Sequence, residues 1–374
     1  MRIAFVLNSS GLYGANRSLL GLIRYLCNQN QKCFAIIPGN GEIEEELQKL
    51  NVEYKVEKYR PCVWCPGYIG MPFLVNLINM PQIVRDVKRW NVDLIHSNSS
   101  NIDVGILAAQ ILKVKHIWHV REIMELFYNT KYIFPRWYKR LRAQSDAVIC
   151  VSQYTFNYHK VQYPNKNIKM IYNPYDVGYY DISRSTFAPN RIMTILMAGA
   201  FAENKKQLDS VRAIDILLKR GITNVRLILA GDGDINCVNA VIDYVQAHNL
   251  EDYVEVLNFV PDLRKIREEA DVALCCSVSE ALPRVVVEGM LGELLSIGAD
   301  SGGTAEVIQH KKTGLLYDVG DCEQLADRME FAMENKRECF QMIKDAKQYA
   351  IDNFELERSG ERVMKVYREV LDIK

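Results

Sequence analysis

Short apolar runs without polar alternation recur along this chain, each followed by a stretch of helical period, and that pattern constrains the fold more than any other feature. In the first half the runs are Ile3 to Leu7, Cys33 to Ile37, Leu94 to His96, His116 to His119 and Ala147 to Val151. Between them, Ser18 to Asn28 and Ile102 to Leu112 repeat apolar residues at helical spacing. Strands apolar on both faces belong to sheets covered on both sides, so the pattern predicts βαβ units and parallel sheets. The second half continues with Ile192 to Met197, Val225 to Ala230, Val256 to Val260 and Val272 to Cys276. At 374 residues the chain exceeds what one hydrophobic core serves, which predicts two domains. The polar stretch from Asp176 to Asn190, with no apolar period, is the expected hinge between domains at 1–178 and 190–354.

Composition excludes several function classes. Basic and acidic residues number 46 each, so no global charge argues for a nucleic-acid partner. Met1 to Asn8 is too short an apolar run for a secretion signal, and a cytoplasmic location is expected. Residues 61–84 carry no charge, but Pro61, Pro66, Pro72 and Pro81 with Asn76 and Asn79 argue against a membrane-spanning helix. Ten cysteines in such a chain read as reduced thiols. Cys62 and Cys65 have metal-like spacing, yet no second pair completes a zinc site, and no metal is expected.

The densest chemistry lies in the run Ser277 to Gly289, which follows the strand Val272 to Cys276. Pro283 suits the first position of a helix, where its missing N–H is no loss. The N–H groups of Arg284, Val285 and Val286 would then face out of the helix start with the positive end of the dipole behind them, as a phosphate requires. Glu280 in the turn and Glu288 within the helix could accept hydrogen bonds from sugar hydroxyls and a ribose diol. The plainer alternative makes Glu280 a capping residue and Glu288 a solvated helix position.

Glu280 and Glu288, with seven residues between them, resemble the Glu-x7-Glu element of retaining GT-B glycosyltransferases, most closely glycosyltransferase family 4. Gly199 to Lys205 is similar to that family's first phosphate loop, Ala230-Gly231-Asp232-Gly233 to its glycine-rich turn, and Ser301 to Ile308 with Gly314-Leu315-Leu316 to the elements that follow. The resemblance implies two Rossmann-like doubly wound α/β domains facing across a cleft, the second binding a nucleotide sugar. It also implies a last helix, within 355–374, that crosses back onto the first domain.

Carried over by resemblance, the donor would meet Gly199, Lys205, Lys206, Gly231, Gly233 and Val260, the turn Glu280, Ala281 and Leu282, then Arg284, Val285, Val286 and Glu288. The glycine loop Asn8 to Ser18 lacks the spacing of a dinucleotide site; Gly11 and Gly14 would lie over the donor phosphates and the acceptor. Tyr13, Asn16, Arg121 and Glu122 would stand on the acceptor side. His119 resembles the family histidine beside the transferred sugar, its imidazole or backbone carbonyl orienting the sugar or stabilising positive charge at the anomeric carbon. A lone histidine satisfied by a neighbour is the structural alternative. His119, Glu280 and Lys205 are the expected catalytic residues.

Two departures stand out. The family usually carries an arginine just after the phosphate-loop glycine, where this chain has Ala200, and a Gly-x-Pro-Val element where it has Gly292-Glu293-Leu294-Leu295. Arg284 or Lys206 could replace the missing cation. Aromatic and basic residues interleave from Phe127 to Arg142 on an expected helix, which suits an anionic membrane interface and equally a solvated helix with a buried aromatic stripe.

The activity implied is metal-independent, retaining transfer of a sugar from a nucleotide sugar to a glycan or lipid-linked glycan hydroxyl in bacterial surface glycoconjugate synthesis. UDP is the first choice of nucleotide and GDP the second, and no cofactor is called for. The alternatives are a non-catalytic GT-B partner subunit or a nucleotide-sugar epimerase. Retention of Lys205, Glu280 and Glu288 favours transfer.

Overall fold

A computed structural model describes residues 1–64, 72–127, 131–187 and 192–373. The chain divides into two compact units, Met1–Tyr175 with Phe354–Lys374, and Asp176–Asn353. The N-terminal unit holds β1 (Arg2–Val6), β2 (Lys32–Ile37), β3 (Glu53–Val56), β4 (Val63–Trp64), β5 (Leu94–Ser97), β6 (Lys115–Val120), β7 (Lys131–Tyr132), β8 (Ala147–Cys150) and β9 (Ile168–Met170). Seven of these form a parallel sheet in the order β3-β2-β1-β5-β6-β8-β9, while β4 and β7 pair antiparallel in a small ribbon. The C-terminal unit holds β10 (Met193–Ala198), β11 (Val225–Ala230), β12 (Val254–Leu257), β13 (Val272–Cys275), β14 (Leu295–Ala299) and β15 (Leu315–Tyr317). They form a parallel sheet in the order β12-β11-β10-β13-β14-β15.

Both sheets are doubly wound. The order runs outward from the first strand to the third, then reverses and continues from the fourth, so each sheet has a topological switch point, β1 beside β5 and β10 beside β13. The lack of polar alternation has its cause here: Ile3 and Phe5 of β1 pack on one face with Leu19, Leu22 and Tyr367, while Ala4 and Val6 pack on the other with Ile83, Trp90 and Val104. β10 divides in the same way, Ile195 toward Val211 and Leu217, and Leu196 toward Ile228 and Ala273.

The last helix, Leu356–Val370, lies on the N-terminal unit against the helix Gly14–Asn28. Gly360 makes the approach close enough, since a Cβ there would stand 2.3 Å from the Tyr25 ring. Gly in a helix interior costs roughly 0.5–1 kcal/mol relative to Ala, and burial of Val363, Met364 and Tyr367 outweighs it.

Two expectations need correction. The Phe127 to Arg142 stretch is not one helix: Met124–Phe127 is a single turn, β7 follows, and a separate helix Pro135–Arg142 starts where proline resets the backbone. Part of the stretch, residues 128–130, lies outside the described residues. The uncharged segment after residue 61 is helical from Pro72, in the helix Pro72–Trp90 with Pro81 inside it, and among the described residues no helix is long and apolar enough to cross a membrane. Strand Val256 to Val260 is instead β12, Val254–Leu257, shorter and nearer the amino terminus.

Candidate functional site

Ligands in open α/β sheets sit beyond the carboxyl ends of the strands, at the switch point. In the C-terminal unit the two loops there are Gly199–Lys206, after β10, and Cys276–Pro283, after β13. They are tied together: the Val278 N–H donates to Asn204 O at 2.8 Å, and Lys205 Nζ donates to Glu280 Oε1. Ser277 Oγ donates to the same oxygen at 2.8 Å. Two sequence-predicted catalytic residues, 75 positions apart, thus meet across the switch point in one half-buried ion pair. Glu280 is therefore no helix cap, because its carboxylate faces a cation and a hydroxyl rather than the helix N–H groups.

The helix start differs by one residue from expectation. Pro283 is the N-cap, with φ −74° and ψ 103°, and the helix runs Arg284–Leu291. The N–H groups of Val286 and Val287 both reach Pro283 O, at 3.2 and 3.3 Å, so Val286 does not offer an outward N–H as predicted. A proline with extended ψ still supplies its carbonyl to the first turn, which draws these donors inward.

Glu288 is not solvated but buried within a cluster. Arg267 Nη2 donates to its Oε2, and Arg284 Nη2 to its Oε1 at 2.8 Å. Arg284 also donates to Tyr180 Oη at 3.2 Å, and that hydroxyl in turn donates to Glu288 Oε1 at 3.3 Å. Arg284 or Lys206 was the expected stand-in for the cation absent at Ala200. The Arg284 guanidinium runs along the helix to the buried carboxylate one turn on. Burial with Glu288 beside it pushes the Tyr180 phenol up to about 12.

The glycine-rich turn also has a different first use. A Cβ on Gly231 would stand 2.1 Å from Gly199 O, and one on Gly233 2.1 Å from Phe201 O. These glycines let the turn after β11 pack on the loop after β10. Gly199 itself faces open space, with nothing within 4 Å of an added Cβ, so close approach of a ligand falls there. Asp232 Oδ1 accepts from the Phe259 N–H at 2.7 Å and ties the exit toward Val260 to the same turn. Gly303 packs against Ala281 O, and its N–H donates to Glu280 O at 2.8 Å, so the Ser301-Gly302-Gly303 element supports the Glu280-Ala281-Leu282 turn from behind.

The N-terminal unit gathers neutral groups at its sheet edge. Asn16 Nδ2 donates to Ser9 O at 2.9 Å and Gly11 O at 2.8 Å, folding the glycine loop over the helix that opens at Gly14. The Asn16 and Asn8 side-chain oxygens are buried without a hydrogen-bond partner among the described residues. Tyr13 stands 69% exposed at the loop's outer side. Arg121 and Glu122, predicted to face an acceptor, are engaged within the unit: Arg121 donates to Asn98 and Asn173, and Glu122 accepts from Ser99 Oγ and from Ser100 N and Oγ. Their charges hold the loops after β5 and β9 in place. His119 is buried on β6, its Nδ1 3.1 Å from His96 Nε2, while its Nε2 has no partner among the described residues. Burial and the neighbouring Arg121 charge hold both imidazoles well below the usual histidine range, so both are neutral.

Two family descriptions cover the chain almost end to end: Glycosyltransferase Family 4 over residues 13–179, and Glycosyl transferases group 1 over residues 181–349. The chain belongs to this glycosyltransferase family. Among its relatives, an N-acetyl-D-galactosaminyltransferase of Campylobacter jejuni, named for a diNAcBac-PP-undecaprenol-linked saccharide, is 25% identical over 99% of both chains. The N-acetyl-α-D-glucosaminyl L-malate synthase of Bacillus anthracis is 27% identical over 61% of each. The Anabaena protein HepE, solved with UDP, superposes with a TM-score of 0.82 at 20% identity, over 99% of this chain and 100% of that one. The two parallel-sheet units are accordingly those of the GT-B fold.

Several residues of this glycosyltransferase's candidate site escaped sequence reasoning. Ser277 stood inside the quoted run and three residues before Glu280, a spacing that could have suggested contact. Arg267 and Tyr180 gave no signal, because they reach Glu288 from 21 and 108 positions away. His96 and Asn98 close β5, beside β1 and β6, and only the strand order makes them neighbours of His119 and Arg121. The nine described cysteines are free thiols. Among the described residues no group of three or more His, Cys, Asp or Glu side chains could hold a metal, and Cys65 lies outside them.

Proposed function

We propose that this glycosyltransferase moves a sugar, with retention of anomeric configuration, from a UDP-sugar to a hydroxyl of a lipid-linked glycan in bacterial surface glycoconjugate synthesis. The observation that carries the reading is the Lys205–Glu280 pair at the switch point beside the helix start at Arg284. Lys205 is a compact cation suited to phosphate oxygens, and Gly199 leaves its loop open to a ligand. Glu280 in the same turn accepts hydrogen bonds from sugar hydroxyls, with Ser277 and Lys205 fixing its orientation. Glu288, oriented by Arg267 and Arg284, would accept from a ribose in this reading.

In this reading the cation and the N–H groups at the helix start take up charge as the UDP leaves, an electrostatic contribution that is usually the largest single one in such reactions. The acceptor hydroxyl attacks from the side the diphosphate departs, and the leaving phosphate oxygen takes its proton. Protein groups thereby meet the leaving-group charge without a metal. UDP is supported by HepE, solved with UDP and with UDP-glucose, and the lipid-linked acceptor by the Campylobacter relative.

A surface on the N-terminal unit supports peripheral contact with anionic lipid. Leu74, Leu77 and Ile78, at helical spacing, are 45%, 45% and 76% exposed, and Phe73 joins them through ring contacts to exposed Phe134 and Trp137. Exposed Arg136, Lys139 and Arg140 flank this apolar strip. The inward half of the same segment is structural, since Tyr138 is fully buried and Arg142 stacks 3.9 Å from the Tyr132 ring centroid.

The test is a thermal-shift screen of nucleotide sugars, followed by transfer to a polyprenyl-diphosphate-linked saccharide. A UDP-sugar should raise the melting temperature most, UDP should be released only with acceptor present, and proton NMR should show the donor's anomeric configuration in the product. An inverted product, or donor turnover without acceptor, would refute the reading.

A further inference from the structure

Three buried rings in the N-terminal unit form a single file. Tyr367, on the last helix, places Oη 2.6 Å from His96 Nδ1, and His96 Nε2 lies 3.1 Å from His119 Nδ1. Tyr367 and His96 are fully buried and His119 is 2% exposed. The hydroxyl of Tyr367 has no other partner among the described residues, so its proton has one acceptor within reach, the Nδ1 lone pair of His96. A neutral imidazole carries one proton. With Nδ1 accepting, the His96 proton is on Nε2 and donates to His119 Nδ1. That nitrogen is then the acceptor of its ring, and the His119 proton stands on Nε2, the buried atom with no partner. The opposite polarity would pair the weaker donor, an imidazole N–H, with the weaker acceptor, a phenol oxygen, and would leave the Tyr367 proton at the inner end of the file, away from the sheet edge.

We propose that Tyr367 and His96 are positioning residues that hold His119 in its Nε2–H form, so that the imidazole donates a hydrogen bond to a ligand hydroxyl at the carboxyl edge of the N-terminal sheet. The inference deepens the function proposed above and rests on it for the identity of the ligand. Of the two roles open to the His119 imidazole, it selects one: a neutral N–H orients a hydroxyl and does not stabilise positive charge at the anomeric carbon. It also gives the last helix a chemical part in the N-terminal site, across 271 residues of sequence. Asn8 Oδ1 and Asn16 Oδ1, buried and unpartnered at the same sheet edge, are the complementary acceptors expected where sugar hydroxyls bind.

Long-range proton–nitrogen NMR of the full-length protein with labelled histidines reads the tautomer without any substrate. The expected result is His119 protonated at Nε2 in the unmodified protein and a shift toward the Nδ1–H form in Tyr367→Phe, whose ring still fills its place. Steady-state kinetics on the same proteins should show kcat lower by about tenfold in Tyr367→Phe, the loss of one oriented hydrogen bond, with the donor KM little changed. His96→Gln, whose amide can donate where Nε2–H did, should retain more activity than His96→Leu. A proton on Nδ1 of His119 in the unmodified protein overturns the relay. A tautomer lost in Tyr367→Phe with kcat intact overturns its role in transfer. Absence of transfer by the unmodified protein would instead defeat the proposed function and leave the tautomer result standing.

Discussion

At the switch point of the C-terminal sheet the meeting groups are charged, Lys205 with Glu280 and Arg267 with Glu288 and Arg284, whereas at the same edge of the N-terminal sheet the ligand-ready atoms are neutral, His119 Nε2, Asn8 Oδ1 and Asn16 Oδ1. Both sheets share one winding order, so the difference lies in the loops rather than in the scaffold. Charges suit a phosphate and a diol; neutral donors and acceptors in a dry setting suit hydroxyls and would bind a diphosphate poorly. The N-terminal unit does contain charge there, but Arg121 and Glu122 are turned inward to hold loops. In the proposed function the contrast matches a leaving group at the C-terminal unit and hydroxyls at the N-terminal one.

The largest effect should come from breaking the charged cluster itself. Replacing Glu288 by Ala leaves the buried Arg267 and the half-buried Arg284 without their shared carboxylate, and unfolding free energy should fall by roughly 3–5 kcal/mol, read by urea denaturation. A loss below about 1 kcal/mol, the range of surface pairs, would mean that the cluster behaves as a surface pair. Lys205→Ala comes next, with kcat lowered by roughly a hundred- to a thousandfold, as for loss of one electrostatic contact to a developing charge. Should its kcat stay within a fewfold of the unmodified enzyme, the charges of the C-terminal unit are not those that meet the leaving group.

Acid separates the units at smaller cost per group. His96, His116, His119 and His159 are buried in the N-terminal unit, and burial takes His116 and His159 down to about 3. Their folded values lie below the unfolded value of 6.5, so the unfolded chain binds more protons. Stability is full above that value and declines as pH falls from about 6.5 toward 3, by about 1.4 kcal/mol per pH unit for each histidine. The other two histidines, His248 and His310, are exposed in the C-terminal unit. All four tryptophans lie in the N-terminal unit, so their fluorescence reports that unit alone. Between pH 7 and 5 the fluorescence transition should fall in temperature further than circular dichroism attributable to the remainder; a common shift contradicts the contrast. The smallest effect belongs to the exposed strip: replacing Arg136, Lys139 and Arg140 by Gln should weaken binding to anionic vesicles by about 1 kcal/mol per charge, measured by co-sedimentation, and leave neutral vesicles unaffected.

The parts of this account that were legible in the sequence are those decided locally. β1, β2 and β11 are continuous apolar runs, and such runs announce buried parallel strands. β14 was not named, because Ser296 and Gly298 interrupt its apolar character where Gly298 packs against Thr304, and β15 is only three residues long. The Lys205–Glu280 pair was readable as two motif positions, each at the end of its own strand. The Arg284 ion pair was not legible: next to a helix start the residue reads as facing phosphate, while its pairing with the buried carboxylate one turn away depends on Glu288 being turned inward. The file from Tyr367 to His119 could not be read at all, since it depends on where the last helix lies and on β5 standing beside β6.

Calorimetric titration of UDP into the unmodified protein and into Lys205→Ala tests the central claim most directly, because it asks whether the diphosphate sits at the C-terminal switch point. One UDP should bind per chain, and the substitution should weaken it by roughly ten- to a hundredfold, the loss of one hydrogen bond to a charged group. Equal affinity in the two proteins would place the diphosphate elsewhere and contradict the account.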